Sequence, residues 1–207
     1  MKSVGKKNVQ KESATARFDK RYYDRYYRKR ATRVTSRREV DVLGKFVCAY
    51  LRHLGQPVKR VLDAGCGLGF WREVLKSQHP GARYTGLEYS AYLCDELGWT
   101  QGSIADYRPR GRFDLVICQG VLQYLNDADA ARAIDNLGRV CRGALYLEAL
   151  TSEDWRDNCD QHATDGQVHL RSARWYKQRI AKHFRACGGG VYLHNDSSAV
   201  LYALERG

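Results

Sequence analysis

The chain has 207 residues, which is too short for two full domains, and 43% of them are hydrophobic, which is enough to bury one core. Its formal net charge of +12 is uneven, because residues 1–45 carry 15 basic and 5 acidic side chains whereas residues 46–207 carry 20 and 18. A basic arm on a nearly neutral body is compatible with nucleic acid, an anionic membrane or an acidic substrate, so composition alone leaves the partner open.

The cysteine pattern indicates a reducing compartment. No two of the seven cysteines lie closer than 18 residues, so the sequence has no CxxC pair for zinc or dithiol chemistry. Cys159 and His162 have the spacing of a metal-ligand pair, but no second pair accompanies them, and no metal site is expected. Because the chain also lacks an apolar run of bilayer length and a secretory apolar segment at its start, we expect a soluble, cytoplasmic protein without membrane contact.

The N-terminal region is predicted to form a tail and a lid. Residues 1–16 are polar and aperiodic, which is typical of a flexible basic tail. Within residues 17–35, the run FDKRYYDRYY places five aromatic side chains on one broad face of a short helix, which should lie on the body. The domain proper, residues 36–207, begins with a helix, because Ser36 and Glu39 have capping-box spacing and apolar residues recur at helical intervals until Gly55.

The rest of the domain alternates strands with helices. Strands are predicted at 60–64, 83–88, 99–103, 113–118 and 144–150, and helices at 70–77, 91–97, 128–140 and 173–184. This alternation predicts an α/β fold with a mostly parallel sheet and helices on both faces. Two short strands at 191–194 and 199–204 are expected to form an antiparallel C-terminal hairpin, which completes a seven-stranded sheet.

A glycine-rich turn follows the first strand of the predicted sheet. Gly65, Gly67 and Gly69 lie between a strand and a helix, where the missing side chains let the backbone approach a ligand. Glu88 ends the next strand, about where a carboxylate reaches the ribose hydroxyls of a nucleotide-like ligand. Position 70 is Phe, so the dinucleotide pattern is incomplete, and Asp63 would oppose a pyrophosphate. The turn therefore favours a nucleoside ligand without phosphates.

Residues 61–69 resemble motif I of the class I S-adenosylmethionine-dependent methyltransferases, and the resemblance covers about residues 36–204. It implies a Rossmann-like methyltransferase fold, S-adenosylmethionine as cofactor and S-adenosylhomocysteine as product. Ser103 stands where relatives have an acid beside the adenine, so that contact is assigned to Ser103, to Asp106 or to backbone. The cofactor-binding residues that the resemblance implies are Asp63, Gly65, Cys66, Gly67, Gly69, Glu88, Tyr89, Ser103, Ile104, Gln119 and Gly120.

Candidate catalytic and lid residues follow from where the chain would place them. Tyr124 and Glu148 are placed at the carboxyl ends of the fourth and fifth strands, where ligands of open α/β sheets bind, and His162 and His169 lie in the polar stretch after the fifth strand. These groups are candidates to assist a direct in-line methyl transfer, although a base is optional for an acceptor that is already nucleophilic. The lid candidates are Tyr22, Tyr23, Tyr26 and Tyr27, with Arg28 or Arg33 pairing the methionine carboxylate.

Three functions remain open on the sequence. The preferred one is methyl transfer to oxygen or nitrogen of a small molecule, because the body is nearly neutral and no RNA-binding domain is appended. The second is RNA methylation, in which the basic arm binds phosphates and its tyrosines stack on bases. The third is a non-catalytic protein that binds S-adenosylmethionine. The oligomeric state is left open.

Overall fold

The computed structural model describes residues 17–205, and the predicted tail at residues 1–16 lies outside the described residues. The strands are β1 (Arg60–Ala64), β2 (Arg83–Glu88), β3 (Thr100–Gln101), β4 (Phe113–Gln119), β5 (Cys141–Glu148), β6 (Phe184–Gly188) and β7 (Val191–His194). The helices are α1 (Lys20–Tyr23), α2 (Arg37–His53), α3 (Phe70–Gln78), α4 (Ala91–Leu97), α5 (Asp127–Val140), α6 (Ser152–Asp157) and α7 (Ala173–Ile180). A π-helical turn (Asp24–Arg28) extends α1, and 3-10 turns lie at Leu122–Tyr124 and Ala203–Glu205.

All seven strands form one sheet in the order β3-β2-β1-β4-β5-β7-β6. The first five strands run parallel to one another, and β7 pairs antiparallel with both β5 and β6. The predicted mostly parallel sheet with an antiparallel C-terminal hairpin is therefore confirmed.

Strand β4 lies at the centre of the core and contributes to both faces of the sheet. Its Val116 and Cys118 belong to one buried cluster, and its Leu115 and Ile117 belong to a second, because successive side chains of a strand point to opposite faces. The first cluster contains buried residues of α5 and α7, and the second contains buried residues of α2 and α3. Helices thus cover both faces.

Two N-terminal elements begin at the caps that their sequences encode. Ser36 accepts a hydrogen bond from the Glu39 amide, and the Glu39 carboxylate accepts one from the Ser36 amide, so the capping box of α2 is complete. The Asp19 carboxylate caps α1 by accepting from the Tyr22 amide. The predicted aromatic helix is therefore present as one α-helical turn continued by a π-helical turn, an element that is frequent at functional sites.

The C-terminal hairpin lies earlier in the chain than the sequence analysis placed it. The expected strand at 199–204 is wrong, since this segment contains no strand and ends in a 3-10 turn. The partner of β7 is instead β6, which begins at Phe184 because α7 ends at Ile180. Three consecutive glycines, 188–190, have φ of +86°, +57° and +76° and make the tight turn between the two strands.

Two further findings concern the described residues as a set. None of the helices in residues 17–205 is long and apolar enough to cross a membrane. Within the same residues, the His, Cys, Asp and Glu side chains form no group of three that could hold a metal ion. Cys159 lies beside the Thr164 hydroxyl, with 3.1 Å between sulfur and oxygen.

Candidate active site

The glycine loop lies where the carboxyl ends of β1 and β2 meet. The Gly65 amide donates a hydrogen bond of 2.7 Å to the Leu87 carbonyl, which holds the start of the loop against β2. Gly67 has a φ of +50°, and a β-carbon built on it would meet nothing within 4 Å. Gly69, with a φ of +76°, begins α3. The loop therefore turns tightly and leaves open space beside Gly67, as a backbone that approaches a ligand requires.

Glu88 joins the glycine loop to the N-terminal lid. Its buried carboxylate accepts hydrogen bonds from the amides of Gly67 at 2.8 Å, Tyr89 at 2.8 Å and Ser90 at 3.0 Å. The fourth donor is the Tyr23 hydroxyl, at 3.3 Å. The carboxylate predicted to bind ribose is thus in contact with the predicted glycine loop and with a predicted lid tyrosine.

Asp63 lies at the end of β1 and is 1% exposed. Its carboxylate accepts a hydrogen bond of 2.6 Å from the Tyr84 hydroxyl. Burial raises the pKa of Asp63 to about 7, with a further contribution from the charge of Glu88 and against the opposing effect of Tyr84. The Asp63 carboxylate is therefore buried inside the fold, where it bonds to β2 two residues before the glycine loop begins.

Trp99 is a loop-supporting residue that the sequence analysis missed. Its indole Nε1 donates a hydrogen bond of 2.9 Å to the Gly67 carbonyl. Its ring also lies against Gly69 and Gly86, where an added β-carbon would come within 2.8 Å and 2.6 Å of ring atoms. A tryptophan at the start of a short predicted strand gives no sequence signal for this contact, because the contact depends on how β2 and the loop pack together.

The predicted adenine contacts lie just after β3. Ile104 is buried, and the Ser103 hydroxyl accepts a hydrogen bond of 3.2 Å from the Ala105 amide. Asp106 is exposed and faces Arg132 at 3.6 Å. Ser103 and Ile104 are therefore close to the end of β3, whereas Asp106 points to the surface.

A chain of hydrogen bonds connects the ends of β4 and β5. The Trp71 indole donates to the Gln119 amide oxygen at 2.8 Å, and the Gln119 amide nitrogen donates to Glu148 at 3.1 Å. The Tyr146 hydroxyl donates to the same Glu148 oxygen at 3.0 Å, and the Gly120 amide donates to the Glu148 carbonyl. The structure thus brings the candidate residues Gln119, Gly120 and Glu148 together.

The N-terminal aromatic segment, which the sequence predicts to be a lid, contacts the end of β2 and the segment beyond β4. While Tyr23 contacts Glu88 at the end of β2, the Tyr22 hydroxyl is 2.9 Å from the Tyr124 hydroxyl beyond β4. Because β1 lies between β2 and β4 in the sheet, a segment that contacts both flanking strand ends covers the end of β1. Tyr26 and Tyr27 continue the same aromatic face, with ring centroids 4.9 Å from Tyr22 and 5.6 Å from Tyr23 respectively.

The lid arginines are placed differently from the sequence expectation. Arg28 donates to both carboxylate oxygens of Glu96 at 2.9 Å and to the Tyr92 hydroxyl at 2.8 Å, so its guanidinium is bound to α4. Arg33 is exposed and lines a shallow surface cavity with Ser36. Neither guanidinium is presented to the glycine loop.

The polar stretch after β5 contributes a buried acid rather than a histidine. His162 and His169 are exposed, and among residues 17–205 the His162 side chain makes no hydrogen bond or ion pair. Asp165, by contrast, is 6% exposed and accepts a hydrogen bond of 2.5 Å from the Arg17 guanidinium. The sequence analysis missed this ion pair, which joins two segments 148 residues apart.

Comparisons with known proteins agree with this geometry. The profile of a family described as "Methyltransferase domain" matches residues 61–143. The chain is 31% identical over 120 residues to malonyl-[acyl-carrier protein] O-methyltransferase of Magnetococcus marinus, a match of 51% of this chain and 44% of the relative. It is 26% identical over 145 residues to trans-aconitate 2-methyltransferase of Azoarcus sp., a match of 60% of this chain and 56% of that protein. The chain thus spans about half the length of these curated relatives.

Solved structures share the fold. Magnesium protoporphyrin IX methyltransferase from Synechocystis PCC 6803 with bound S-adenosylmethionine superposes with a TM-score of 0.59 at 17% identity, covering 93% of this chain and 97% of that one. An amino pentose methyltransferase from Micromonospora echinaspora gives 0.55 at 15% identity, covering 73% and 90%. Residues 61–143 thus match the profile of a methyltransferase domain, and the sheet described above shares the fold of these solved methyltransferases.

Proposed function

We propose that this chain binds S-adenosylmethionine and transfers its methyl group to oxygen or nitrogen of a small-molecule acceptor by direct in-line displacement. The observation that carries the proposal is the pairing of Gly67 with Glu88. The Gly67 amide donates a hydrogen bond of 2.8 Å to the buried Glu88 carboxylate, and a β-carbon at Gly67 would meet only open space. Both residues lie at the strand ends where ligands of α/β sheets bind.

The residues at these strand ends fit the parts of the cofactor. Gly65, Cys66, Gly67 and Gly69 would hold the methionine part along the open side of the loop. Glu88 would bind the ribose hydroxyls, with Tyr23 close enough to share the carboxylate. The segment at Ser103 and Ile104 would border the adenine, and the segment at Gln119 and Gly120 would form the opposite wall.

The chemistry of the cofactor leaves the protein a positioning task. When bound, S-adenosylmethionine supplies a methyl group activated by the sulfonium, and the nucleophile must lie in line with the carbon–sulfur bond at about 3 Å. The lid, which covers the end of β1, would exclude water and hold the acceptor against the loop. Tyr22 and Tyr124 meet on the acceptor side of this cover, where they can orient the reacting atom.

The curated relatives support a small acceptor and favour oxygen. One relative is named for O-methylation of a malonyl group on a carrier protein, and the other is named for methylation of trans-aconitate. Both names describe molecules with carboxyl groups. We therefore place oxygen ahead of nitrogen as the acceptor atom.

Calorimetry with S-adenosylhomocysteine tests the proposal. We expect binding by the unaltered chain and a loss of about tenfold or more in affinity for Glu88→Gln, because a hydrogen bond to a charged group contributes about 1.5–3 kcal/mol. Glu73→Gln is the matched control, since this exposed carboxylate on α3 pairs only with Arg37 among the described residues. Absence of binding, or equal affinities for the two variants, would refute the proposed cofactor site.

A further inference from the structure

We propose that the acceptor is a carboxylate, held between the paired hydroxyls of Tyr22 and Tyr124 and the guanidinium of Arg17. This inference rests on the proposed function, because it names the substrate class of the same site. The groups that carry it are an aromatic cluster, a shared hydrogen bond and a half-buried ion pair, all where the predicted lid meets the segments beyond β4 and β5.

The aromatic cluster shapes the site. The Phe18 ring lies edge-on to both phenols, with centroid distances of 4.9 Å to Tyr22 and 5.3 Å to Tyr124. The Ser90 hydroxyl donates a hydrogen bond of 2.6 Å to the Phe18 carbonyl, which fixes this part of the lid to the start of α4. These rings would contact the apolar part of an acceptor and leave its polar end facing the two hydroxyls.

The two hydroxyls act as hydrogen-bond donors. Burial raises the pKa of Tyr22 and of Tyr124 above the usual value, so both phenols remain protonated at neutral pH. Two hydroxyls that share one hydrogen bond use one proton between them, and the other proton remains to be donated. The pair therefore suits an acceptor atom that carries lone pairs and negative charge.

Arg17 adds a cationic donor beside the same pair. Its guanidinium carbon lies 5.3 Å from the centroid of the Tyr124 ring, and its Nη2 donates to Asp165 at 2.5 Å. Asp165 is itself held by the Gln167 amide at 3.0 Å. A guanidinium has five N–H donors in a planar fork that matches a carboxylate. One bond to Asp165 therefore anchors Arg17 and leaves other N–H groups that can donate to an acceptor. Asp165 thus positions the cation.

A carboxylate completes the reaction without a proton transfer. A lone pair of its oxygen forms the new O–CH₃ bond while the carbon–sulfur bond breaks and leaves its electron pair on sulfur. The sulfonium becomes the neutral thioether S-adenosylhomocysteine, and the anionic acceptor becomes a neutral methyl ester. Charge and atoms balance, so a site built from donors is sufficient for this acceptor.

An amine fits the same groups poorly. An aliphatic amine is protonated at neutral pH, with a pKa of about 10, so it would first have to lose a proton. The two acceptor classes are therefore distinguishable by the product that forms.

The test uses tritium from the labelled methyl group of S-adenosylmethionine and three pairs of probes. Malonate, trans-aconitate and trans-cinnamate serve as the acids, and propane-1,3-diamine, allylamine and cinnamylamine serve as the amines. Methyl esters release methanol in alkali, whereas N-methyl groups do not, so volatile tritium after alkaline treatment reports esters alone. We expect base-labile label on at least one acid and none on the amines. Base-stable label on an amine would overturn the proposal that the acceptor is a carboxylate. The same conclusion would follow if the chain bound S-adenosylhomocysteine but labelled none of the acids.

A pair of variants tests the assigned groups. With the best acid, Arg17→Gln should raise KM about tenfold or more, since a charge-assisted hydrogen bond is lost, while S-adenosylhomocysteine affinity stays within about twofold. Arg21→Gln removes the same charge from an exposed lid position and should change neither value. Equal KM values for the two variants would refute the role of Arg17. Failure of the unaltered chain to bind S-adenosylhomocysteine would instead refute the proposed function itself.

Discussion

A substitution at Gly67 should affect ligand binding far more than it affects the stability of the fold. An alanine there would cost about 1 kcal/mol for a left-handed backbone, and its methyl group would enter the open space beside Glu88. We predict that Gly67→Ala folds but loses measurable binding of S-adenosylhomocysteine, because the methyl group occupies the cradle. Calorimetry gives the affinity, and urea unfolding gives the stability.

Gly55 provides the matched control for Gly67. It has a φ of +65°, and an added β-carbon would also meet nothing within 4 Å, but it lies at the end of α2. Gly55→Ala should therefore show a similar loss of stability with unchanged affinity. Unaltered affinity in Gly67→Ala would remove the glycine loop from the cofactor site.

Asp63 should make the free energy of unfolding depend on pH. Its pKa is raised to about 7 in the folded chain and is about 3.9 when unfolded, so between these values the folded state holds a proton that the unfolded state lacks. Its contribution to the free energy of unfolding therefore falls as pH rises from about 4 to 7, by at most about 1.4 kcal/mol per pH unit, and levels off above pH 7.

Asp63→Asn removes this titration and keeps an acceptor oxygen for the Tyr84 hydroxyl. Urea unfolding from pH 5 to 8 should show that the difference in stability between variant and unaltered chain shifts in favour of the variant as pH rises. Asp157→Asn, at an exposed carboxylate, should leave the slope unchanged. Parallel slopes for the unaltered chain and Asp63→Asn would contradict the raised pKa.

Contacts between individual residues were predictable from the sequence only where their positions along neighbouring strands require them to meet. Gly67 and Glu88 were found because a turn after one strand and an acid at the end of the next must meet at one sheet edge. Arg28 was misplaced because its partner, Glu96, lies 68 residues away on another helix. Arg17 and Trp99 were missed for the same reason, since their contacts arise only from tertiary packing.

The lid is an element whose contacts predict the effect of truncation. Removing residues 1–16 should leave cofactor affinity intact, because this polar, aperiodic segment contains none of the predicted lid tyrosines. Removing residues 1–34 deletes the Tyr23–Glu88 and Tyr22–Tyr124 contacts and should weaken S-adenosylhomocysteine binding. Calorimetry on the full chain and both truncated forms measures this, and equal affinities for the two truncated forms would exclude a lid.

The bounds of helices and strands were predictable where clear turn residues or helix caps flank the segment. The bounds of β1, β2, α4 and β7 agree with the sequence because turn residues or caps flank each segment. The hairpin was misplaced because Asn195 to Ser198 reads as a turn as readily as the glycines at 188–190 do. The strand pairing shows that the glycines form the turn, because β6 pairs with β7 from Phe184, opposite His194, to Gly188, opposite Val191.

The strand order explains why the site lies where it does in the whole molecule. The chain runs outward from β1 through β2 to β3, then returns to place β4 on the other side of β1. Loops leaving β1 and β4 therefore diverge and open a crevice at this switch point. Alternating strands and helices in the sequence predict a parallel sheet, but they do not specify this order, because it depends on which distant strands pair.

The net charge of +12 makes salt dependence a test that distinguishes a small-molecule acceptor from an RNA acceptor. Exposed basic side chains lie on the outer side of the lid, among them Arg21, Arg25, Lys29, Arg30 and Arg33. If they bound an RNA substrate through 6–10 phosphates, affinity would fall about 10³- to 10⁵-fold between 50 and 200 mM salt. We instead expect kcat/KM for the best small acid to change less than about tenfold over this range, because a small acid carries far fewer charges than 6–10 phosphates. Tritium transfer to total RNA, with a steep salt dependence, would show that the arm binds the substrate and would replace the small-molecule acceptor.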